Sequence, residues 1–434
     1  MKLNELSASE AARLIAKRSI SSEQLVRSCL DRIEARESVL HAWASLNPDH
    51  AIAQARACDA ARSRGPLHGV PMAVKDVLDT RDFPTEMGSP IYAGNRPACD
   101  AACVALVRSA GAIILGKTVT AEFAGVTPGP TTNPLNSART PGGSSSGSGA
   151  AVADFMVPAA FGTQTGGSIL RPASYCGVIG YKPSFGTVNR AGLKFAAESF
   201  DTIGLMARSM DDIRLIWSAL VGSSKEPAPL SGDIPRFAVC RTHVWDQASP
   251  ESVAAVEATA AGLSRAGAIV EELIMPADFV AVTKARAIIN NYERARSLLG
   301  EWALYRDRIS RKLATTIEIG LATSYEDYLR ALRTFRRWRA WLAAAAANWD
   351  SLITPAALGE APEGLSSTGD PCFQEIWTAL HVPTLSLPLH TGPHGMPVGV
   401  QFVGRPNDDE GFLRANAWVL DALGAGSKLS KARL

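Results

Sequence analysis

The chain reads as a single large α/β domain, a central β-sheet covered by helices on both faces. Three observations predict this class. Helical segments with one apolar face alternate with short, wholly apolar strand segments, the pattern of strands buried on both sides. The alternation carries no sequence repeat of the solenoid kind. The 434 residues, 46% apolar and 20% charged, have an ordinary globular composition, and a chain of this size buries about three quarters of its unfolded surface.

The elements follow in order. Ser7 with Glu10 has the spacing of a capping box ahead of AARLIAK, and Ser21 with Gln24 repeats it ahead of LVRSCLDRIEAR. Leu14, Leu25, Cys29 and Ile33 are expected to face inward. VPMAV is predicted to form a short buried strand ending at Lys75. From Asp100, AACVALVRSA reads as a helix, Gly111 as its left-handed cap and AIILGKT as a buried strand. The cadence returns with RFAVC from Arg236, the helix VAAVEATAAGLSRA, Gly267 and AIVEEL. By themselves these αβ units predict a largely parallel sheet.

Residues 223–235, SSKEPAPLSGDIP, are linker-like. Because αβ units resume after them, one domain (1–434) with an excursion at about 223–350 is preferred to two domains. Tyr325 to Trp349 is predicted as a long helix. Its Arg330, Arg333, Arg336, Arg337 and Arg339 read as a solvated face in a chain otherwise balanced in charge. Residues 354–371, TPAALGEAPEGLSSTGDP, form the kind of long irregular stretch that serves as a lid or binding loop.

Lys and Arg number 44 against 42 Asp and Glu, a net charge of +2, which disfavours a nucleic-acid partner. No secretory leader and no membrane span is read in the sequence. The seven cysteines are odd in number and scattered, as expected of reduced thiols in a cytoplasm. Cys99 and Cys103 are expected on one helix face, but no second pair or histidine completes a zinc set. No G-x-G-x-x-G opening a helix, P-loop or H-E-x-x-H is present, so no cofactor is expected.

The most unusual stretch lies between 127 and 183. TPGGSSSGSG (140–149) and GTQTGGSILRP (162–172) are separated by AAVADFMVPAA, apolar enough to be core and to pin both tracts. Glycine-dense backbone inside a buried sheet serves close approach to a ligand. Gly166, Gly167 and Ser168 predict a turn whose N–H groups converge on an oxyanion, with Ser168 as a candidate nucleophile that needs a base. GSSSG (143–147) matches the nucleophile elbow around Ser145, with His394 as partner. That motif requires a strand leading into the turn, whereas PLNSARTP precedes it, so the match reads as coincidence. Lysine is the other route: burial disfavours the charged form of Lys75 and makes it a base, while a snorkelling lysine or one paired with Asp76 is the plainer alternative.

Together HGVPMAVKD, PGGSSSGS and GTQTGGSILRPASYCG resemble the amidase signature family over about residues 65–210, and GMPVGVQFVGRP resembles its closing strand. The resemblance implies a mixed sheet, with Ser168 as acyl-forming nucleophile, Ser144 as bridging serine after a cis Gly143–Ser144 bond, and Lys75 as terminal base. It further implies an oxyanion hole from the N–H groups of Thr165, Gly166, Gly167 and Ser168, and a homodimer. Most members read GTDTGGSIRQPA. Here Gln164 replaces the Asp and the arginine is Arg171, which together with PTEMGS (84–89) and STGDP (367–371) resembles the family's bacterial malonamidases. In those the arginine grips the free carboxylate of a small half-amide; Arg171 is expected either to do so or to make a structural ion pair. Gln164, Thr131 and Trp377 are the other expected pocket residues, though core packing explains Thr131 and Trp377 equally. The expected activity is hydrolysis of a small carboxylated amide with release of ammonia. The alternatives are a glutaminase-type subunit of an aminoacyl-tRNA amidotransferase and a non-catalytic binding protein.

Overall fold

Both capping boxes form as their spacing requires: Ser7 and Ser21 accept from the N–H groups of Glu10 and Gln24, whose side chains reach back to the cap N–H. The computed structural model describes residues 2–62, 65–223 and 234–425. Its first strands are β1 (Trp43–Leu46), β2 (Pro71–Lys75), β3 (Ile113–Thr118), β4 (Ala159–Gln164), β5 (Ile179–Lys182) and β6 (Thr202–Ala207). Those that follow are β7 (Arg236–Cys240), β8 (Ile269–Leu273), β9 (Ser351–Pro355), β10 (Thr384–Thr391) and β11 (Pro397–Val403). All join one sheet in the order β1-β3-β2-β4-β6-β5-β10-β11-β9-β7-β8.

The sheet is mixed, which corrects the largely parallel expectation drawn from cadence alone. Parallel pairs occur where helices intervene, β2 with β3 and β4, and β7 with β8 and β9. The centre is antiparallel: β6 lies between β4 and β5, and β10 pairs with β5 and β11. Residues 183–201 contain no helix to act as a crossover, and the β10–β11 connection is too short for one, so both connections return antiparallel.

Alternation along the strands divides the core. Met72 and Val74 enter one apolar layer and Ala73 the other; Phe161 and Ala160 split likewise. Strands buried on both faces are thus the reason these segments are apolar throughout.

The excursion contributes β7 and β8 to the one sheet. Between β8 and β9 it carries the packed helices Ala281–Ser297, Arg311–Ala322 and Tyr325–Ala345. Of the linker-like stretch, residues 224–233 lie outside the described residues. Along the basic run, Arg330 pairs with Glu326 and Asp327 and Arg337 with Asp278, while Arg339 turns inward to the carbonyl of Ala379. The helix after Asp100 starts only at Ala102. Cys99 therefore precedes it and is exposed while Cys103 is buried, and the two share no helix face. Among the described residues no cluster of metal-ligating side chains occurs, and no helix is long and apolar enough to cross a membrane.

Candidate active site

Three neighbouring segments converge: the end of β2, the turn into the helix Ser146–Ala153, and the turn after β4. The second is glycine-rich for a steric reason, because a Cβ on Gly147 would lie 2.2 Å from the carbonyl oxygen of Ala42. Fully buried Lys75 places Nζ 2.8 Å from Ser144 Oγ and 2.8 Å from Thr163 Oγ1. The Gly143–Ser144 peptide is cis. Asp76 does not pair with Lys75; it turns to Lys117 Nζ at 2.9 Å. Among the described residues no carboxylate lies within ion-pair distance of Lys75. Burial brings its pKa down from 10.5 to about 7; the charge of Asp201 works against this, and those of Arg294 and Arg171 add to it.

The turn of residues 165–168 joins β4 to the helix Leu170–Cys176. The N–H groups of Thr165, Gly166, Gly167 and Ser168 have no acceptor among the described residues. The turn is held from behind. Gln164 Oε1 accepts from the N–H groups of Ile169 and Leu170 at 2.8 and 3.1 Å, and its Nε2 donates to Thr378 Oγ1 at 2.9 Å. Thr165 Oγ1 donates to buried Asp201. The Ser168 hydroxyl has no hydrogen-bond partner among the described residues, so the Lys75–Ser144 link is made in the resting site and a Ser144–Ser168 link is not.

A cavity of about 100 Å³ opens over this turn, lined by Thr165–Ser168, Arg171, Pro371, Ala124–Val126 and the helices 281–297 and 311–322. Arg171 Nη2 donates to the carbonyl of Gly143 at 2.7 Å and to Thr368 Oγ1 at 3.1 Å, while its Nε and Nη1 are buried without an acceptor. Among the described residues no acidic side chain lies within ion-pair distance of Arg171, although the charges of Asp370 and Glu375 act on it from farther off. The irregular stretch 354–371 thus supplies Pro371 to the cavity wall and Thr368 as a partner of Arg171.

Three expected pocket residues are elsewhere engaged. Gln164 is fully buried and spends both ends of its amide on the turn and on Thr378, so it braces the site without facing the cavity. Thr131 donates to the carbonyl of His41 at 2.7 Å, and Trp377 packs in the apolar cluster that contains Phe335 and Trp338. Neither lines the cavity. The elbow around Ser145 is indeed coincidental: its hydroxyl bonds Thr163 at 3.3 Å, and His394 pairs with Glu360 at 2.7 Å. Thr163, Thr378, Asp201, Arg286, Asn290 and Arg294 escaped the sequence reading. The sole signal for the last three was the polar spacing of RAIINNYERAR in the excursion.

The fold belongs to the class of hydrolases that act on carbon–nitrogen bonds. The chain belongs to the amidase family, whose model matches residues 24–413. It is 34% identical to a glutamyl-tRNA(Gln) amidotransferase subunit from Anaeromyxobacter sp. (strain K), over 94% of each chain. Among solved structures it resembles an amidase with a TM-score of 0.88 at 29% identity, covering 96% of this chain and 99% of that one. It also resembles the peptide amidase of Stenotrophomonas maltophilia, with a TM-score of 0.81 at 27% identity and 97% of each chain covered.

Proposed function

We propose that the protein hydrolyses a short amide bearing a free carboxylate, of the malonamate type, through Ser168, Ser144 and Lys75. The observation that carries this reading is Arg171, buried beside Ser168 at the cavity with Nε and Nη1 unpartnered. A guanidinium with idle donors is suited to a substrate carboxylate, which accepts two parallel N–H bonds.

In the reaction, neutral Lys75 takes the proton of Ser144 as Ser144 takes that of Ser168, whose Oγ attacks the amide carbon. The free N–H groups of residues 165–168 hold the developing oxyanion. The relay then returns the proton to the departing nitrogen, the C–N bond breaks, and water attacks the acyl-serine to release the acid. The Ser144–Ser168 contact closes when substrate fills the cavity, since catalytic hydrogen bonds commonly tighten only in the complex.

A hydrolysis screen of the purified chain against malonamate and its neutral counterpart propionamide tests the reading. Malonamate is expected to be cleaved at least tenfold more efficiently; equal rates for the two would remove Arg171 from substrate recognition. Fluorophosphonate labelling of Ser168 separates this enzyme from a non-catalytic binding protein, which takes up no label. The identity with amidotransferase subunits supports a second reading, a glutaminase working inside a complex. Release of ammonia from glutamine, but not from malonamate, would favour that reading over ours.

A further inference from the structure

Among the described residues the cavity walls carry three guanidinium groups, those of Arg171, Arg286 and Arg294, and no carboxylate. Arg286, Asn290 and Arg294 recur every four residues on one face of the Ala281–Ser297 helix. Eight residues at the helical rise separate Arg286 from Arg294 by about 12 Å along the axis. Their Cα atoms therefore stand about two turns apart on the cavity wall, while the charge of Arg286 still acts on Arg294.

Arg286 shares the end of the cavity occupied by Arg171. Its Nη2 lies 3.0 Å from where a Cβ on Gly166 would be, and Arg171 Nη1 lies 3.2 Å from the same point on Gly167. Arg286 is also held by Glu375 at 2.9 Å. Arg294 stands at the Phe123–Gly125 end, donating through Nη1 to the carbonyl of Phe123 at 3.2 Å. That is its one hydrogen bond among the described residues, although the residue is only 5% exposed. The nearby carboxylate of Asp201 is engaged by Thr165 Oγ1 and by the N–H groups of Ala196 and Ala197 at 2.6 and 3.1 Å. Arg294 thus keeps donors to spare on the Phe123–Gly125 side of the cavity, in a place where an unsatisfied charge is costly.

We infer that Arg294, with Asn290 beside it, recognises a second anionic group of the substrate, carried on the amine side of the scissile bond. This rests on the reading in which Arg171 takes the acyl-side carboxylate. With that end of a short acyl chain fixed, the other substituent of the carbonyl carbon, the nitrogen and what it bears, is the part that reaches Arg294. The substrate class is then a short amide with a carboxylate at each end. Hydrolysis adds water across the C–N bond and releases a dicarboxylic acid and an amine that itself bears a carboxylate.

Steady-state hydrolysis of malonamate, N-methylmalonamate and N-malonylglycine by the full chain tests this. The wild type is expected to show kcat/KM at least tenfold higher for N-malonylglycine than for N-methylmalonamate, and both Arg294→Gln and Arg294→Lys are expected to shrink that ratio at least fivefold. Arg294→Lys keeps a cation beside Asp201, so it separates loss of the guanidinium fork from loss of charge balance. Should either variant fail to fold, the wild-type ratio still decides. A ratio near one, or a variant that slows both substrates by the same factor, overturns the inference. Failure of the wild type on all three compounds removes the underlying malonamate-type reading as well. Cleavage of malonamate that is sensitive to Arg171→Ala, with no preference for N-malonylglycine, removes the second anion site alone.

Discussion

Thr378 donates its hydroxyl proton to the carbonyl oxygen of Gly166 at 2.7 Å. A trans peptide is planar with C=O and N–H opposed, so holding that oxygen on one side directs the N–H of Gly167 to the other. Gln164 donates to the same hydroxyl and accepts from Ile169 and Leu170, so it braces both ends of the turn. The side chains behind the turn thereby set where its N–H groups converge.

Thr378→Val is therefore expected to lower kcat about 10- to 100-fold, somewhat less than deleting an oxyanion donor outright. KM should stay within about twofold, since the contact acts on the transition state. Thr378→Ser, which keeps the hydroxyl, should recover most of the rate. Steady-state kinetics on malonamate checks this, and an equal rise in KM would point to a general loss of structure instead.

Lys75 works as a base only when neutral, so activity should rise with pH through a limb centred near its pKa of about 7. Its folded pKa lies below the ordinary 10.5, so the unfolded chain holds the extra proton between those values. The contribution of this group to stability consequently rises with pH across that window and is absent below it. Ser168→Ala should abolish turnover, Lys75→Ala should be nearly as damaging, and Ser144→Ala should leave a trace, because members of a relay act as a unit. A pH–rate profile flat from pH 5 to 9 would contradict the role given to Lys75.

Arg171→Ala should raise KM for carboxylated amides at least tenfold more than for neutral ones, the usual scale for a charge-assisted hydrogen bond. Neutral amides should also lose some rate, because Nη2 supports the carbonyl of Gly143, the residue before Ser144. Parallel KM measurements on malonamate and propionamide distinguish the two effects.

The buried pair of Asp76 and Lys117 lies beside the site without joining it, and Lys117 Nζ also bonds Thr85 Oγ1 at 2.7 Å. Lys117→Met should destabilise the fold by about 3–5 kcal/mol, because it strands a buried carboxylate. The double change Asp76→Asn/Lys117→Met should recover part of that loss. Urea unfolding monitored by circular dichroism measures both.

Helix starts, the strand ending at Lys75 and the two glycine-dense tracts were legible because their causes are local: a cap is satisfied within three residues, and a strand buried on both faces is apolar at every position. The antiparallel centre of the sheet was not, since strand direction depends on what lies between β5 and β6 and not on either strand. Gln164 was recognised as important but given the wrong task. Nothing in one sequence shows that its amide meets Thr378, 214 residues away.

The sequence by itself determined which groups are available: a lysine at the end of an apolar strand, hydroxyls in two pinned turns, and an arginine three residues after Ser168. Tertiary structure alone decided that Lys75 faces Ser144 while adjacent Asp76 faces Lys117, because the chain leaves β2 between them and exposes each to a different neighbour. It also decided the walls of the cavity, where a helix from the excursion brings Arg286, Asn290 and Arg294 over a turn more than a hundred residues earlier. Such a meeting is set by how helices pack on the sheet, and local sequence carries no record of it.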